Sequence, residues 1–166
     1  MKINVVLVEP EIPQNTGNIA RTCACTTIKL HLVKPLGFSI NEKEVRRAGL
    51  DYWDNIDLEV HESTRDFFNK YSIQKNNMFL VTTKAPNKYT DIDYSKYDEI
   101  FLLFGKETKG LPEDLLKENL NKCIRIPMTN TMRSLNLSNA VSIVVYETLR
   151  QVEFNDLKDT SEYLLN

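Results

Sequence analysis

Residues 126–140, Ile-Pro-Met-Thr-Asn-Thr-Met-Arg-Ser-Leu-Asn-Leu-Ser-Asn-Ala, lead from a short β-branched strand through a polar turn into an apolar helix. Ligands of open α/β sheets bind in the crevice outside the carboxyl ends of the strands. Thr129, Asn130, Thr131, Arg133, Ser134, Asn136, Ser138 and Asn139 therefore gather hydroxyl, amide and guanidinium groups where a ligand would sit. Two further segments share this design. Residues 4–21 read as a strand, a loop with Pro10 and Pro13, and a helix opening near Thr16; residues 100–116 read as a buried-type strand, a loop framed by Gly105 and Gly110, and a helix with Pro112 suited to its first turn. Three strand-end loops are thus expected to face one crevice.

Between these segments the alternation of strand and helix persists. Strands are expected at Ile3 to Val8, Lys29 to Val33, Leu58 to His61, Met78 to Thr82, Glu99 to Phe104 and Cys123 to Ile126. Helices are expected at Glu42 to Arg47, after a Ser63 cap, at Pro112 to Asn119 and from about Ser138 to Val152. In the last helix Leu137, Ala140, Val141, Val144, Val145, Leu149 and Val152 recur at three- and four-residue steps as one apolar stripe. The pattern predicts an α/β fold with a largely parallel sheet flanked by helices. At 166 residues one domain suffices, placed at residues 1–153 with a loosely docked tail at 154–166.

Hydrophobic residues make up 42% and charged residues 27%, as in a globular domain, and no apolar run approaches the ~20 residues of a membrane span. The chain opens directly on a strand and shows no signal-like leader, so a cytoplasmic location is expected. Cys23, Cys25 and Cys123 lack metal-ligand spacing, and on a helix Cys23 and Cys25 would point about 200° apart. His31 and His61 both read as strand residues, far from any second histidine, so no metal is expected. A net charge of −2 carries no global sign of nucleic acid. Locally, however, Arg21, Lys34, Lys43, Arg46, Arg47, Lys84, Lys106, Lys109 and Arg133 fall mainly in or beside the site loops, and such a segregated patch can steer an RNA.

Asn15 with Arg21, the segment Phe104 to Pro112 (Phe-Gly-Lys-Glu-Thr-Lys-Gly-Leu-Pro) and the segment Ile124 to Tyr146 resemble the three motifs of the SPOUT-class RNA ribose methyltransferases. The similarity runs from Asn4 to about Gln151. Residues 9–18, Glu-Pro-Glu-Ile-Pro-Gln-Asn-Thr-Gly-Asn, and 46–52, Arg-Arg-Ala-Gly-Leu-Asp-Tyr, resemble the small single-domain TrmL type, which methylates the 2′-hydroxyl of the tRNA wobble nucleotide. The resemblance implies a C-terminal trefoil knot, a homodimer, S-adenosyl-L-methionine as methyl donor and the anticodon loop of tRNA, of the leucine type, as partner. General topology rules alone would argue against a knot.

Residue roles follow from the same resemblance. Arg21 corresponds to the family's catalytic arginine beside the ribose 2′-hydroxyl. A guanidinium is normally too basic to deprotonate, so it would orient the hydroxyl and partly activate it. Glu107, Ser134 and Asn136 correspond to active-site positions, Glu107 for loop and substrate positioning and Asn136 for holding the first-motif loop, and Tyr146 to a tyrosine linked to substrate handling. Val81, Gly105, Ile126 and Ser134 correspond to cofactor contacts, with Gly105 permitting close approach. Asn15, Lys43, Arg46, Arg47 and Arg133 are the expected substrate contacts. Thr27 departs from the pattern, standing where relatives commonly carry glycine. A ribose methyltransferase for another RNA site, or an idle RNA-binding protein of the same fold, stays open as an alternative.

Overall fold

The computed structural model describes residues 1–40, 56–158, 160–161 and 163. The expected helix Glu42 to Arg47, with Lys43, Arg46 and Arg47, lies outside the described residues, as does the Arg46 to Tyr52 motif.

Strands β1 (Lys2–Val8), β2 (Lys29–Val33), β3 (Leu58–His61), β4 (Met78–Val81), β5 (Asn87–Lys88), β6 (Glu99–Phe104) and β7 (Cys123–Arg125) form one sheet in the order β3-β2-β1-β6-β4-β7-β5. Every neighbouring pair is parallel. β6 enters between β1 and β4, and β7 between β4 and β5, so each is inserted between strands that precede it in the chain. Among the described residues the α-helices are α1 (Pro13–Cys25), α2 (Thr64–Lys70), α3 (Glu113–Glu118) and α4 (Leu137–Gln151). α1 starts three residues before the expected Thr16, because Pro13 occupies its first turn, where a missing N–H is harmless. Ser63 caps α2 as expected, its hydroxyl accepting the Asp66 N–H at 3.1 Å.

The inner strands β1, β6 and β4, with β2, are buried on both faces, which is why they read as largely continuous apolar runs. Along β1, Ile3, Val5 and Leu7 face a core shared with Ile19, Ala20 and Cys23 of α1 and with Val141, Val144, Val145 and Leu149 of α4. Val6 and Val8 face the opposite core, closed by Phe67 of α2 and Leu116 of α3. The result is three layers, helices on either side of a parallel sheet. Cys23 is buried and Cys25 exposed, as their angular separation requires. Phe154 and Leu157, at the start of the tail, pack against the first core.

Register fixes where the site can be. Leu7 pairs with Phe104, Phe104 with Val81, and Val81 with Ile124, so β1, β6, β4 and β7 end in one row across the sheet. The loops that follow these strands rise side by side from that row.

Candidate active site

Above the row lies a cavity of about 580 Å³, within the usual range for small-molecule cofactor sites. Asn15, Val81, Gly105, Glu107, Ile126, Arg133, Ser134 and Asn136 all line it. The sequence therefore identified eight residues that the fold brings together from four segments. Arg21 and Tyr146 do not line this cavity. They lie on the outward sides of α1 and α4, which pack beside each other through Thr22 and Ser142. Gln14, Asn18, Arg21 and Cys25 form the exposed stripe of α1, and Asn139, Ile143, Tyr146 and Arg150 that of α4.

The polar wall of the cavity is a chain of hydrogen bonds between loops. Ile12, the residue before α1, has no side chain that can cap the helix. Glu107 supplies a carboxylate from the loop after β6. It accepts the N–H groups of Glu11 at 2.8 Å and Ile12 at 3.2 Å, together with the Asn15 amide at 2.9 Å. Asn15 Oδ1 accepts from Asn136 Nδ2 at 2.9 Å, which links the first loop to the last. Asn136 in turn caps α4, its Oδ1 accepting the Ser138 N–H at 2.9 Å and the Asn139 N–H at 3.4 Å. Glu107 and Asn136 thus both hold the segment from Glu11 to Asn15.

Gly105 is required for a reason other than the one the sequence suggested. A Cβ there would lie 2.0 Å from the Gly110 carbonyl carbon and 2.1 Å from the Leu111 nitrogen. The close approach is made by the chain's own backbone, which doubles back through a Gly110 N–H to Lys106 carbonyl bond of 2.8 Å. Gly110 completes the reversal at a φ of +71°. Any side chain at Gly105 would break the loop before it obstructed a ligand.

Two contributions were not read from the sequence. Thr82 and Thr83, after β4, form a fourth wall with Lys84, which the sequence marks only as part of a basic patch; the strand-then-polar signal that exposed the other loops was present there too. The second is Glu11, whose carboxylate accepts the Thr108 N–H at 3.1 Å and the Thr108 hydroxyl at 2.8 Å. Hydrogen bonding by Thr108 outweighs the small effect of burial and holds this carboxyl below the usual range. Nothing in the local pattern at Glu11 signals a partner 97 residues away.

The histidine expectation needs correction. His31 and His61 are separate in sequence but touch across β2 and β3, with His31 Nδ1 3.0 Å from His61 Nε2. Parallel pairing places Val33 beside His61 and brings the two rings onto the same face. With Glu59, the two histidines offer ligand-type atoms within 4.8 Å of one another. These atoms are already engaged. Asn4 donates through Nδ2 to Glu99 and to the Ile100 carbonyl, so its Oδ1 accepts from His31 Nε2 at 3.1 Å. That fixes His31 with its proton on Nε2 and leaves Nδ1 to accept from His61. Glu59 is held by Lys29, Lys70 and Tyr71. Burial raises the Glu59 pKa, but these three donors reverse the effect and bring it to about 2. Burial pushes His31 down to about 3, and lowers His61 as well.

The SpoU rRNA Methylase family matches residues 2–146 of the chain. A Bacillus subtilis (strain 168) relative, provisionally named a tRNA (cytidine(34)-2′-O)-methyltransferase, is 50% identical over 157 residues, which are 94% of this chain and 97% of the relative. The tRNA (cytidine(34)-2′-O)-methyltransferase of Escherichia coli (strain K12) is 45% identical over 153 residues, 92% of this chain and 95% of that protein. A solved structure described as giving insights into the 2-OH methylation of C/U34 on tRNA superposes with a TM-score of 0.84 at 37% identity, covering 93% of this chain and 98% of its own. An AdoMet-bound rRNA methyltransferase from Sinorhizobium meliloti gives a TM-score of 0.82 at 28% identity, over 91% of this chain and 57% of its own. With the strand-end cavity, the interlocked loops and a match over nearly the whole chain in agreement, this chain belongs to the SpoU rRNA Methylase family.

Proposed function

We propose that the chain transfers a methyl group from S-adenosylmethionine to the ribose 2′-hydroxyl of the wobble pyrimidine nucleotide, position 34, of tRNA, with leucine isoacceptors as substrates. The observation that carries this reading is the cavity itself. Four strand-end loops close over it, three of them tied together by Glu107, Asn15 and Asn136. Its lining suits S-adenosylmethionine: Val81, Phe104, Ile126 and Leu137 offer apolar surface for a purine ring, and the loop backbones offer polar groups for ribose hydroxyls. The Gly105–Gly110 spacing matches neither the Rossmann nor the P-loop fingerprint, in keeping with a cofactor that has no phosphates.

When bound, the cofactor supplies a methyl group already activated on a sulfonium sulfur. The protein's tasks are then to align the 2′-oxygen and to assist loss of its proton as the carbon–sulfur bond breaks and the carbon–oxygen bond forms. Alignment alone accounts for several kcal/mol of barrier, on the order of the effects known for positioned reactants. Ser134 and Arg133 enter the cavity from the last loop, next to the Asn136 anchor. Arg21 orients the hydroxyl and an adjacent phosphate, and its positive charge eases loss of the proton to solvent.

Arg21 lies on the exposed face of α1 and α4, together with Tyr146, which is 49% exposed, and Ile143, which is 36% exposed. A homodimer formed through this face buries the apolar side chains and completes the acceptor side of the site. Lys43, Arg46 and Arg47 contact the tRNA backbone, so neutralising them weakens tRNA binding and flattens its salt dependence. An unpaired anticodon nucleotide can be splayed into such a cavity more readily than a paired one. No helix among the described residues is long and apolar enough to cross a membrane, in line with a cytoplasmic site of action.

Transfer of labelled methyl to leucine tRNA, followed by nuclease mapping, tests the reading. Label is expected on the ribose of nucleotide 34; label on a base or outside the anticodon loop would refute it. Arg21→Ala is expected to reduce transfer by roughly a thousandfold while cofactor affinity stays within about 1 kcal/mol. A comparable loss of cofactor binding would remove Arg21 from the acceptor side.

A further inference from the structure

The loop from Gly105 to Gly110 forms one side of the cavity, yet its internal fastening is the single Lys106–Gly110 pairing at its base. Its tip, Glu107 and Thr108, is held from outside by the loop after β1, and the arrangement is reciprocal. Glu107 takes the backbone N–H of Glu11 at 2.8 Å, while Glu11 takes the backbone N–H of Thr108 at 3.1 Å and its hydroxyl at 3.0 and 2.8 Å through both carboxylate oxygens.

Glu11 is itself placed firmly. A Cβ on Gly37 would fall 2.7 Å from the Glu11 Cα and carbonyl oxygen, so the segment around Gly37 packs directly on the Glu11 backbone. The Gly37 N–H also bonds the Pro10 carbonyl at 2.9 Å. Glu11 thus projects its carboxylate from a fixed backbone onto a loop with little fastening of its own. Charge-assisted bonds of this kind are roughly twice as strong as neutral ones. Because the bond lies at the exposed surface, it can also open.

We infer that Glu11 is a positioning residue that latches the Gly105–Gly110 loop through Thr108 and thereby sets the affinity of the cavity for its cofactor. The inference rests on the reading of the cavity as the S-adenosylmethionine site. Glu107 and Thr108 line the cavity and Glu11 does not, so Glu11 acts through the loop. The latch also joins the cofactor wall to the segment leading into α1, the helix that bears Arg21.

Calorimetric titration with S-adenosylhomocysteine and initial rates with tRNA test the latch. Glu11→Ala is expected to weaken cofactor binding about tenfold and Thr108→Val about threefold, with the double variant no weaker than Glu11→Ala alone, the signature of coupled residues. Thr108→Ser, which keeps the hydroxyl, is expected to bind as the unaltered protein does. KM for S-adenosylmethionine should rise in step with these losses, while kcat at saturating cofactor and KM for tRNA change by less than about twofold, as expected when binding common to the ground and transition states is lost. A purely structural role would lower all parameters together. Unchanged affinity in Thr108→Val, an exposed substitution that leaves folding intact, or multiplicative effects in the double variant, would overturn the latch. If the unaltered protein binds no S-adenosylhomocysteine, the cofactor reading fails and the latch with it; normal binding with insensitive variants removes the latch alone.

Discussion

Asn15 and Asn4 use their amides in the same way in two different settings. Asn15 donates to Glu107 and accepts from Asn136; Asn4 donates to Glu99 and the Ile100 carbonyl and accepts from His31. Both asparagines are nearly buried, at 6% and 4% exposure. The difference is in what they join. Asn15 joins loops around a cavity, where Glu107 and Asn136 remain open to a ligand. Asn4 joins strands to one another and ends in two buried imidazoles. An amide at the crevice organises a site, whereas an amide inside the layers obliges the fold to satisfy every group it touches. Losses at the first network should therefore appear in catalysis, and losses at the second in stability.

The largest expected effect tests the first half of that contrast. Glu107→Ala removes the acceptor for two N–H groups and the Asn15 amide, and should lower methyl transfer by roughly a hundred- to a thousandfold, about 3–4 kcal/mol of barrier. Thermal unfolding should shift by only a few degrees, since these donors can turn to water. A collapse of stability without a specific loss of rate would erase the distinction.

The second half is tested by His31→Leu. Leucine leaves Asn4 Oδ1 and His61 without their partner in a site sealed by Phe67, Tyr71 and Phe101. Unsatisfied buried groups typically cost about 1–3 kcal/mol each, so denaturant titration should show a loss of about 2–3 kcal/mol. Transfer by the protein that remains folded should be unchanged.

Acid sharpens the same contrast. His31 titrates near pH 3 in the folded protein because burial opposes its charge, whereas an unfolded histidine titrates near about 6.5. Between those values the unfolded chain holds a proton that the folded chain refuses. Stability is thus whole above about pH 6.5 and falls below it, by about 1.4 kcal/mol per pH unit for one such histidine. His61, lowered by the same cause, acts in the same direction. Glu59 loses its stabilising ionisation only at lower pH. Melting temperatures between pH 6.5 and 5 therefore isolate the histidines, and His31→Leu should flatten that slope.

The two networks also differ in how far the sequence revealed them. The crevice was legible because its residues follow strands within a few positions, and the apolar runs that mark β1, β2, β4, β6 and β7 are unambiguous once both faces are buried. β5 was missed because two residues, Asn87–Lys88, carry no periodicity. The connections Glu107–Asn15, Asn136–Asn15 and Glu11–Thr108 span 92, 121 and 97 residues, and only strand order makes them neighbours. The His31–His61 contact depends on the parallel register of β2 and β3, which spacing alone cannot supply. The knot that the resemblance implies is encoded by no local pattern of residues.

The smallest expected effect lies on α1, whose first turn belongs to the Asn15 network and whose far end reaches a second cavity, lined by Asn4, Thr27, Lys29 and Tyr71 among others. α1 closes with the Ile28 N–H on the Cys23 carbonyl at 2.9 Å and the Thr27 N–H on the Ala24 carbonyl at 3.5 Å. This closure needs a left-handed residue after the cap, and Thr27 adopts it at a φ of +55°. A β-branched side chain is poorly suited there, at roughly 1–2 kcal/mol. A hydroxyl bond from Thr27 to the Thr26 carbonyl at 2.7 Å offsets part of that strain. Thr27→Gly removes both the strain and the bond and adds freedom to the unfolded chain, for a net gain of about 0.5–1 kcal/mol. The melting temperature should rise by a few degrees while cofactor affinity and transfer rate stay constant. If the glycine variant instead changed cofactor affinity, the two ends of α1 would be mechanically coupled, and the separation between a network for catalysis and a network for stability would not hold.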